Sequence, residues 1–584
     1  MAACVAVLLV IAIGRAIIGG WDALSADHAR YVYAGLSLLD GRGYVNETGD
    51  PFLFRAPAFA LLTGGAWQLA GSTGAHLAVW LLGLVSLLLA VGLSARLGGG
   101  VGAAATTASI VAIPLFWEQI VGLGVDQPQA AFYLGAIALL GGLHVVRWLA
   151  AGGLMGLGIL VKETLGPAVF LLPMAWLPLW TNVRWPRWLG LTAAFGLTAA
   201  VTAGWWWIVI WQATAEIFPL NVLRAIVPDD LPLEVTFSPA AVVGAALAVA
   251  AWAIVLVTQL RDPRGRLLVL GALASVPALV ATITLAQAPR NLTSFLLLTC
   301  VAVGVAAAEV WSRLGSRVVE RGQRSRSPVA AAVALSVLLV ALAVLGQASV
   351  RPAVGDPLSP ATAAALRGRL QPGDEVVSTF RGRSPLGIEL FEQATDIGLL
   401  PARAVDEGTE PADYLWLGVR RGTLFGIRRD RWAQVLGAPE ARYLVITTPH
   451  ALSPSELIPA LRGQPGKGAG LTELDVVESD VGTAYVFGND PTRVGRMNRV
   501  NLHAAPEALL QWLDMARAQG EPQPVARLLA AAPVIPRQAR DARILARRLG
   551  DRACFRSLRE GGRRVVVIEA RADQTECLEQ ADLR

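Results

Sequence analysis

The sequence predicts a polytopic α-helical membrane protein that ends in a soluble α/β domain. Three observations carry this. Of 584 residues only 16% are charged while 54% are hydrophobic, a balance unlike that of soluble globular chains. Residues 1–348 are long apolar runs separated by short polar hinges. Residues 349–584 carry charge throughout and hold no long apolar run. The net charge of +6 does not point to nucleic acid. Its arginine excess sits mostly in short hinges between apolar runs, where membrane topology accounts for it.

A helix needs about 20 apolar residues to cross the ~30 Å hydrocarbon core. On that measure the expected spans are 2–20, 76–95, 101–116, 129–148, 151–161, 164–180, 188–210, 239–260, 267–286, 291–311 and 328–348. The apolar but short 58–72 is assigned as an interfacial helix within a first loop of residues 21–75. The N-terminus has no basic stretch before its apolar run and reads as a retained first span, with cleavage as the alternative.

The stretch 151–180 decides the topology. As one helix it would be about 45 Å long with Lys162 and Glu163 near its middle. As two spans it leaves Arg96, Arg147, Arg184, Arg187, Arg261, Arg264, Arg266 and the run from Arg313 to Arg326 on the N-terminal side of the membrane. The positive-inside rule favours the second arrangement. The expectation is therefore about eleven spans in the cell (inner or plasma) membrane, a cytoplasmic N-terminus and an extracytoplasmic C-terminal domain.

The C-terminal part reads as alternating strands and helices, hence α/β. Strands are expected near 375–380, 414–419, 443–448, 476–478, 484–487 and 565–568, and helices near 360–370, 504–518, 523–531 and 536–549. Residues 471–488 resemble a hairpin turning at 480–482. Cys4 and Cys300 lie in apolar runs, and no cysteine–histidine cluster suggests zinc. Cys554 and Cys577 are the only cysteines in a part placed in an oxidising compartment, so a disulfide between them is expected.

The first polar interval, residues 21–57, holds acids, arginines and aromatics in one run. Asp27 falls just beyond the first span and is followed by a helical pattern from Ala29 to Leu39 and a Gly41–Gly43 break. It reads either as a solvated loop acid or as a general base at the mouth of a cavity between helices. Asp126 precedes Gln-Pro-Gln at the start of a span, where an aspartate caps a helix well. Glu118 in the same loop is a weaker candidate. Lys162 interrupts two apolar runs, a costly place for a charge. The bland reading is a Lys162–Glu163 pair solvated at the interface. Arg290 precedes another span, where a snorkelling arginine is ordinary. The 211–238 loop mixes aromatics with acids, as interfacial segments do.

Asp27, Tyr31, Ala34, Leu38, Gly41, Gly43 and Tyr44, with the later Arg55 and Pro57, resemble the first-loop signature of C-type glycosyltransferases. These include the aminoarabinose transferases and relatives of protein O-mannosyltransferases. Where many members carry a second adjacent acid this chain has His28, which counts against a metal there. Asp126, Lys162 and Arg290 match an acid, a Leu-x-Lys segment and a basic residue that many relatives carry at corresponding places.

The resemblance implies an inverting transfer of a sugar from a polyprenyl-phosphate donor to an acceptor hydroxyl of an envelope glycan, lipid or protein. It implies the outer face of the membrane. Asp27 and Asp126 would be catalytic, and Lys162, Arg290 and Arg55 would hold the donor phosphate. His28, Tyr31, Glu118 and Glu163 would be accessory. A divalent metal (Mg, Mn or Ca) is the one cofactor considered, with Asp27 and Asp126 as its candidate ligands. The competing classes are a transporter or flippase for a lipid-linked glycan, which more often shows inverted repeats and broken helices, and a non-catalytic envelope scaffold.

Overall fold

The computed structural model describes residues 1–19, 26–47, 51–53, 55–214, 239–276, 292–320, 358–371, 374–378, 383–393, 396–399, 402–404, 414–420, 423–428, 441–448, 471–479, 482–489, 525–530, 553–560 and 563–570. The expected 328–348 span, the 215–238 part of the interfacial loop, the helices at 504–518 and 536–549, Arg290 and Cys577 lie outside these residues. So does the expected boundary at 348/349. The chain divides into two compact units, one of 1–46 and 51–355 and one of 47–50 and 356–584.

The first unit is helical: α1 (Ala2–Gly19), α2 (Ala26–Leu39), α3 (Pro57–Ala112), α4 (Pro114–Val121), α5 (Asp126–Leu139), α6 (Val145–Val161), α7 (Trp185–Thr214), α8 (Pro239–Gln259), α9 (Pro263–Ala274) and α10 (Thr293–Glu320). Pro57–Ala112, Trp185–Gln212 and Thr293–Arg313 are long and apolar enough to cross a membrane, and Ala2–Ile17, Val145–Val161, Ala168–Trp180 and Ala245–Gln259 are shorter apolar helices.

Several boundaries differ from expectation. The 58–72 helix and the 76–95 and 101–116 spans are one helical run, α3, which ends at Ala112. It kinks at Gly71 (φ 60°) and Gly99 (φ 63°), a left-handed backbone that glycine adopts without a Cβ clash. The expected 129–148 span stops at Leu139, because Gly141 and Gly142 let the chain turn and α6 starts again at Val145. The indole N–H groups of Trp148 and Trp176 donate to the Gly142 and Leu140 carbonyls at 2.9 and 2.8 Å and hold that turn. The expected 164–180 span is a chain of short helical turns, as Pro167, Pro173 and Pro178 interrupt it. The break at Lys162 that separates it from α6 is present.

Two glycine crossings lock the bundle. A Cβ on Gly35 of α2 would lie 1.9 Å from the Ala60 carbonyl oxygen of α3, and one on Gly64 would lie 2.6 Å from the Gly35 carbonyl carbon. Only bare backbones cross this closely. A Cβ on Gly304 of α10 would lie 2.2 Å from Thr106 Oγ1, and that hydroxyl donates to the Cys300 carbonyl at 3.1 Å. Small residues of this kind let apolar helices approach closely in lipid.

The second unit opens with α11 (Leu358–Arg367). It continues with β1 (Glu375–Ser378), α12 (Arg383–Glu389), β2 (Asp396–Leu399), β3 (Ala402–Ala404), β4 (Tyr414–Arg420), β5 (Thr423–Arg428), β6 (Ala441–Thr448), β7 (Leu471–Ser479), β8 (Gly482–Asn489), β9 (Val525–Ala530), β10 (Ala553–Glu560) and β11 (Arg563–Ala570). A five-stranded sheet runs β2-β1-β6-β8-β7, with β1 parallel to β2 and β6, and with β6–β8 and β7–β8 antiparallel. Val376, Val445, Ala484 and Val486 pack against Leu358 and Leu366 of α11 and Leu386 of α12. Six expected strands and the 471–488 hairpin are at their expected places. The helix expected at 523–531 is a correction. Its described residues, 525–530, are strand β9, antiparallel to β11, because edge pairing outweighs the helix propensity of a run that lacks apolar–polar alternation.

Gly35→Ala should lower the melting temperature of the purified protein, by the equivalent of about 1–3 kcal/mol for an overpacked contact. Gly14→Ala, with open space around its Cβ position, should be neutral or mildly stabilising. Equal melting temperatures for the two variants would contradict the tight crossing.

Candidate active site

α5 and α6 are antiparallel neighbours joined by the turn at 140–144, so the start of one and the end of the other lie at the same end of the bundle. Asp126 is the first residue of α5. Lys162 follows the last residue of α6, on extended backbone (φ −160°, ψ 126°). Lys162 Nζ donates to Asp126 Oδ1 in a closed ion pair. Asp126 is 2% and Lys162 6% exposed.

This overturns two expectations. Asp126 is not an N-cap: Val125 holds that position, and the carboxylate turns to the lysine instead. Lys162 is not solvated against Glu163. It is buried and pairs with Asp126, while the adjacent Glu163 accepts from Arg55 Nη1 at 3.3 Å. The two pairs therefore bring together Arg55, Asp126, Lys162 and Glu163, from three separate segments.

The first turn of α5 is polar and buried throughout. Ser86 of α3 donates its hydroxyl hydrogen to Gln127 Oε1, and Gln127 Nε2 reaches the Phe116 carbonyl at 3.5 Å. Gln129 Nε2 donates to the Lys162 carbonyl and lies 3.1 Å from Thr164 Oγ1. Pro128 costs no hydrogen bond, since the N–H groups of the first turn have no partner within the helix. Sequence reasoning missed Gln127 and Gln129. Their signal was present: two glutamines flank Pro128 at the start of an otherwise apolar run, where buried amides require partners. Asp126 Oδ2 is buried and has no hydrogen-bond partner among the described residues.

The first loop lies over Arg55. Tyr44 donates its hydroxyl to the Arg55 and Ala56 carbonyls at 3.1 and 3.3 Å, with its ring edge-on to Phe52 and Trp206. Burial raises the Tyr44 phenol well above its ordinary pKa. Tyr31 and Glu163 add to the shift and Arg55 opposes it, so the group stays protonated and can donate. Tyr31 is buried edge-on between Phe52 and Phe59, at 5.7 and 5.0 Å between ring centroids. It braces α2.

Asp27 is in the first turn of α2, and its side chain lies outside the described part. His28 is half-buried beside it. Glu118 is exposed on α4, away from the buried polar turn. No group of three His, Cys, Asp or Glu side chains that could hold a metal is found among the described residues. A hard divalent cation takes about six or more oxygen ligands. Asp126 offers one uncommitted oxygen beside a lysine. The described residues do not fit such an ion.

The fold of the chain is similar to that of ArnT. Similar solved structures include ArnT from Cupriavidus metallidurans in the apo state (TM-score 0.53, 16% identity) and ArnT from the same organism bound to undecaprenyl phosphate (TM-score 0.54, 15% identity). In each case the match covers 84% of this chain and 99% of the other. No family model and no curated protein matches the sequence.

Removing one partner of a buried pair strands the other charge, at about 3–5 kcal/mol. Lys162→Met should therefore lower the melting temperature strongly, and Asp126→Leu combined with Lys162→Met should recover most of the loss. Additive losses in the double variant would show that the two side chains are not coupled.

Proposed function

We propose that this protein is a glycosyltransferase that moves a sugar from a polyprenyl-phosphate donor to an acceptor hydroxyl, with inversion, at the outer face of the membrane. The observation that carries the reading is the convergence of Arg55, Glu163, Lys162 and Asp126 at one end of a fold shared with ArnT. One of the two ArnT structures holds undecaprenyl phosphate, which supports a prenyl phosphate as the donor carrier. The acceptor is a hydroxyl of an envelope glycan, lipid or protein.

The chemistry needs a base for the incoming hydroxyl and positive charge against the departing phosphate. In this reading Asp27 takes the acceptor proton as oxygen attacks the anomeric carbon. The bond to the prenyl phosphate breaks, and the pair of electrons leaves with the phosphate. Arg55 is the reachable cation, since its side chain keeps 36% of its surface open. The incoming phosphate competes with Glu163 for it, and Arg290 adds a second positive charge. Lys162 is buried against Asp126, so its part is to hold that carboxylate in place at the start of α5.

The test uses the purified full-length protein, a radiolabelled polyprenyl-phosphate sugar and an envelope extract as acceptor. Asp27→Asn should lower transfer by about 10²–10⁴ while donor affinity holds, as expected for loss of a general base. Arg55→Ala should weaken donor affinity. Transfer by Asp27→Asn at the wild-type rate would place the base elsewhere. A wild-type protein that binds but never transfers would favour a carrier of lipid-linked glycan.

A further inference from the structure

At the other end of α5, about 20 Å from Asp126 by helix rise, a second polar cluster stands on an apolar groove. The groove is a cavity of about 740 Å³ between α3, α5, α6 and α9. Leu89 and Leu93 of α3, Phe132 of α5 and Leu154 of α6 give it apolar walls, and Arg96, Arg147 and Arg264 line it with charge. The three arginines come from three different elements and meet over residues 138–142. Arg96 Nη1 donates to the Ala138 carbonyl at 3.3 Å, and Arg264 Nε to the Gly141 carbonyl at 3.4 Å. A Cβ on Gly142 would lie 3.1 Å from Arg147 Nη1.

Helix capping explains only part of this. Cations are favourable at the carbonyl end of α5, which accounts for Arg96 and Arg264. Each donates one N–H to a carbonyl there, and a guanidinium has five. Arg147 is in the first turn of α6, the end of a helix that disfavours a cation. No side-chain partner for it is found among the described residues, although it is exposed. No carboxylate lines the groove among the described residues. The nearest acid in sequence, Asp262, accepts from the Arg264 backbone N–H at 3.0 Å as the N-cap of α9.

We propose that this groove is a binding site for an anionic diacyl phospholipid, with its phosphate against Arg96, Arg147 and Arg264 and an acyl chain lying between α3 and α5. Charge and shape both select this occupant. The groove combines three guanidinium groups with a long apolar wall, and a phosphate accepts several of their N–H groups at once. Basic pockets between membrane helices hold anionic headgroups in this way. The site is separate from the transfer site, and it stands whether or not the transfer reading does.

Lipid titration into the full-length protein in detergent, read by native mass spectrometry, tests it. The probes are phosphatidylglycerol, phosphatidylcholine and undecaprenyl phosphate. Phosphatidylglycerol should bind well above phosphatidylcholine. Its affinity should fall about fivefold for each arginine changed to glutamine, the loss of one basic contact with an anionic lipid. Arg147→Gln, at an exposed position without a described partner, should show this loss in a protein that still folds. Arg187→Gln, an exposed arginine that donates to the Leu143 carbonyl but does not line the groove, should bind as wild type. Equal binding of the two diacyl lipids, or an unchanged Arg147→Gln variant, would overturn the proposal. Preferential binding of undecaprenyl phosphate that depends on the same arginines would also overturn it, by assigning the groove to a prenyl carrier.

Discussion

The buried pair of Asp126 and Lys162 constrains the structure around it. A single charge removed from water at that depth costs several kcal/mol, so each side chain requires the other. The start of α5 and the end of α6 must then keep one register. Gln129 enforces it through the Lys162 carbonyl, and Ser86 and Gln127 tie the same turn to α3. Tertiary packing therefore fixes the position of an acid that local helix chemistry would have left as a cap.

The polar side chains at the start of α5 are buried, and its last carbonyls are met by side chains, so both ends find partners in protein. At one end they are Lys162, Ser86 and the backbone of Phe116 and Lys162. At the other, arginines and tryptophans reach the last carbonyls. A short helix with two polar ends thus links a polar site to a basic groove. The glycine crossing of α2 on α3 keeps the Asp27 segment fixed relative to the first end.

Much of this was legible in the sequence, and the gaps have physical causes. Apolar run length located most helices, and the costly charge at Lys162 marked a real break. The first-loop pattern from Asp27 to Pro57 led to the fold. Asp126, Lys162, Arg55 and Glu163 were each identifiable, but their pairing was not. Sequence adjacency suggested Lys162 with Glu163, whereas the contact depends on where the α5–α6 turn falls. That turn lies at Gly141–Gly142, inside an apolar run that length alone reads as continuous. The kinks at Gly71 and Gly99 escaped for the same reason. β9 escaped because Val-Ala-Arg-Leu-Leu-Ala has no alternation, and only its pairing with β11 makes it a strand.

Photocrosslinking measures most directly whether the donor is bound where the two ion pairs converge. A polyprenyl-phosphate sugar with a photoreactive group beside the phosphate would be irradiated with the full-length protein and its adducts mapped by peptide mass spectrometry. Adducts on the peptides that carry Arg55 and Glu163, reduced by unlabelled donor, are the predicted result. Adducts confined to the groove residues of α3, α5 and α6 near Arg96 and Arg147, with none at Arg55 or Glu163, would contradict it.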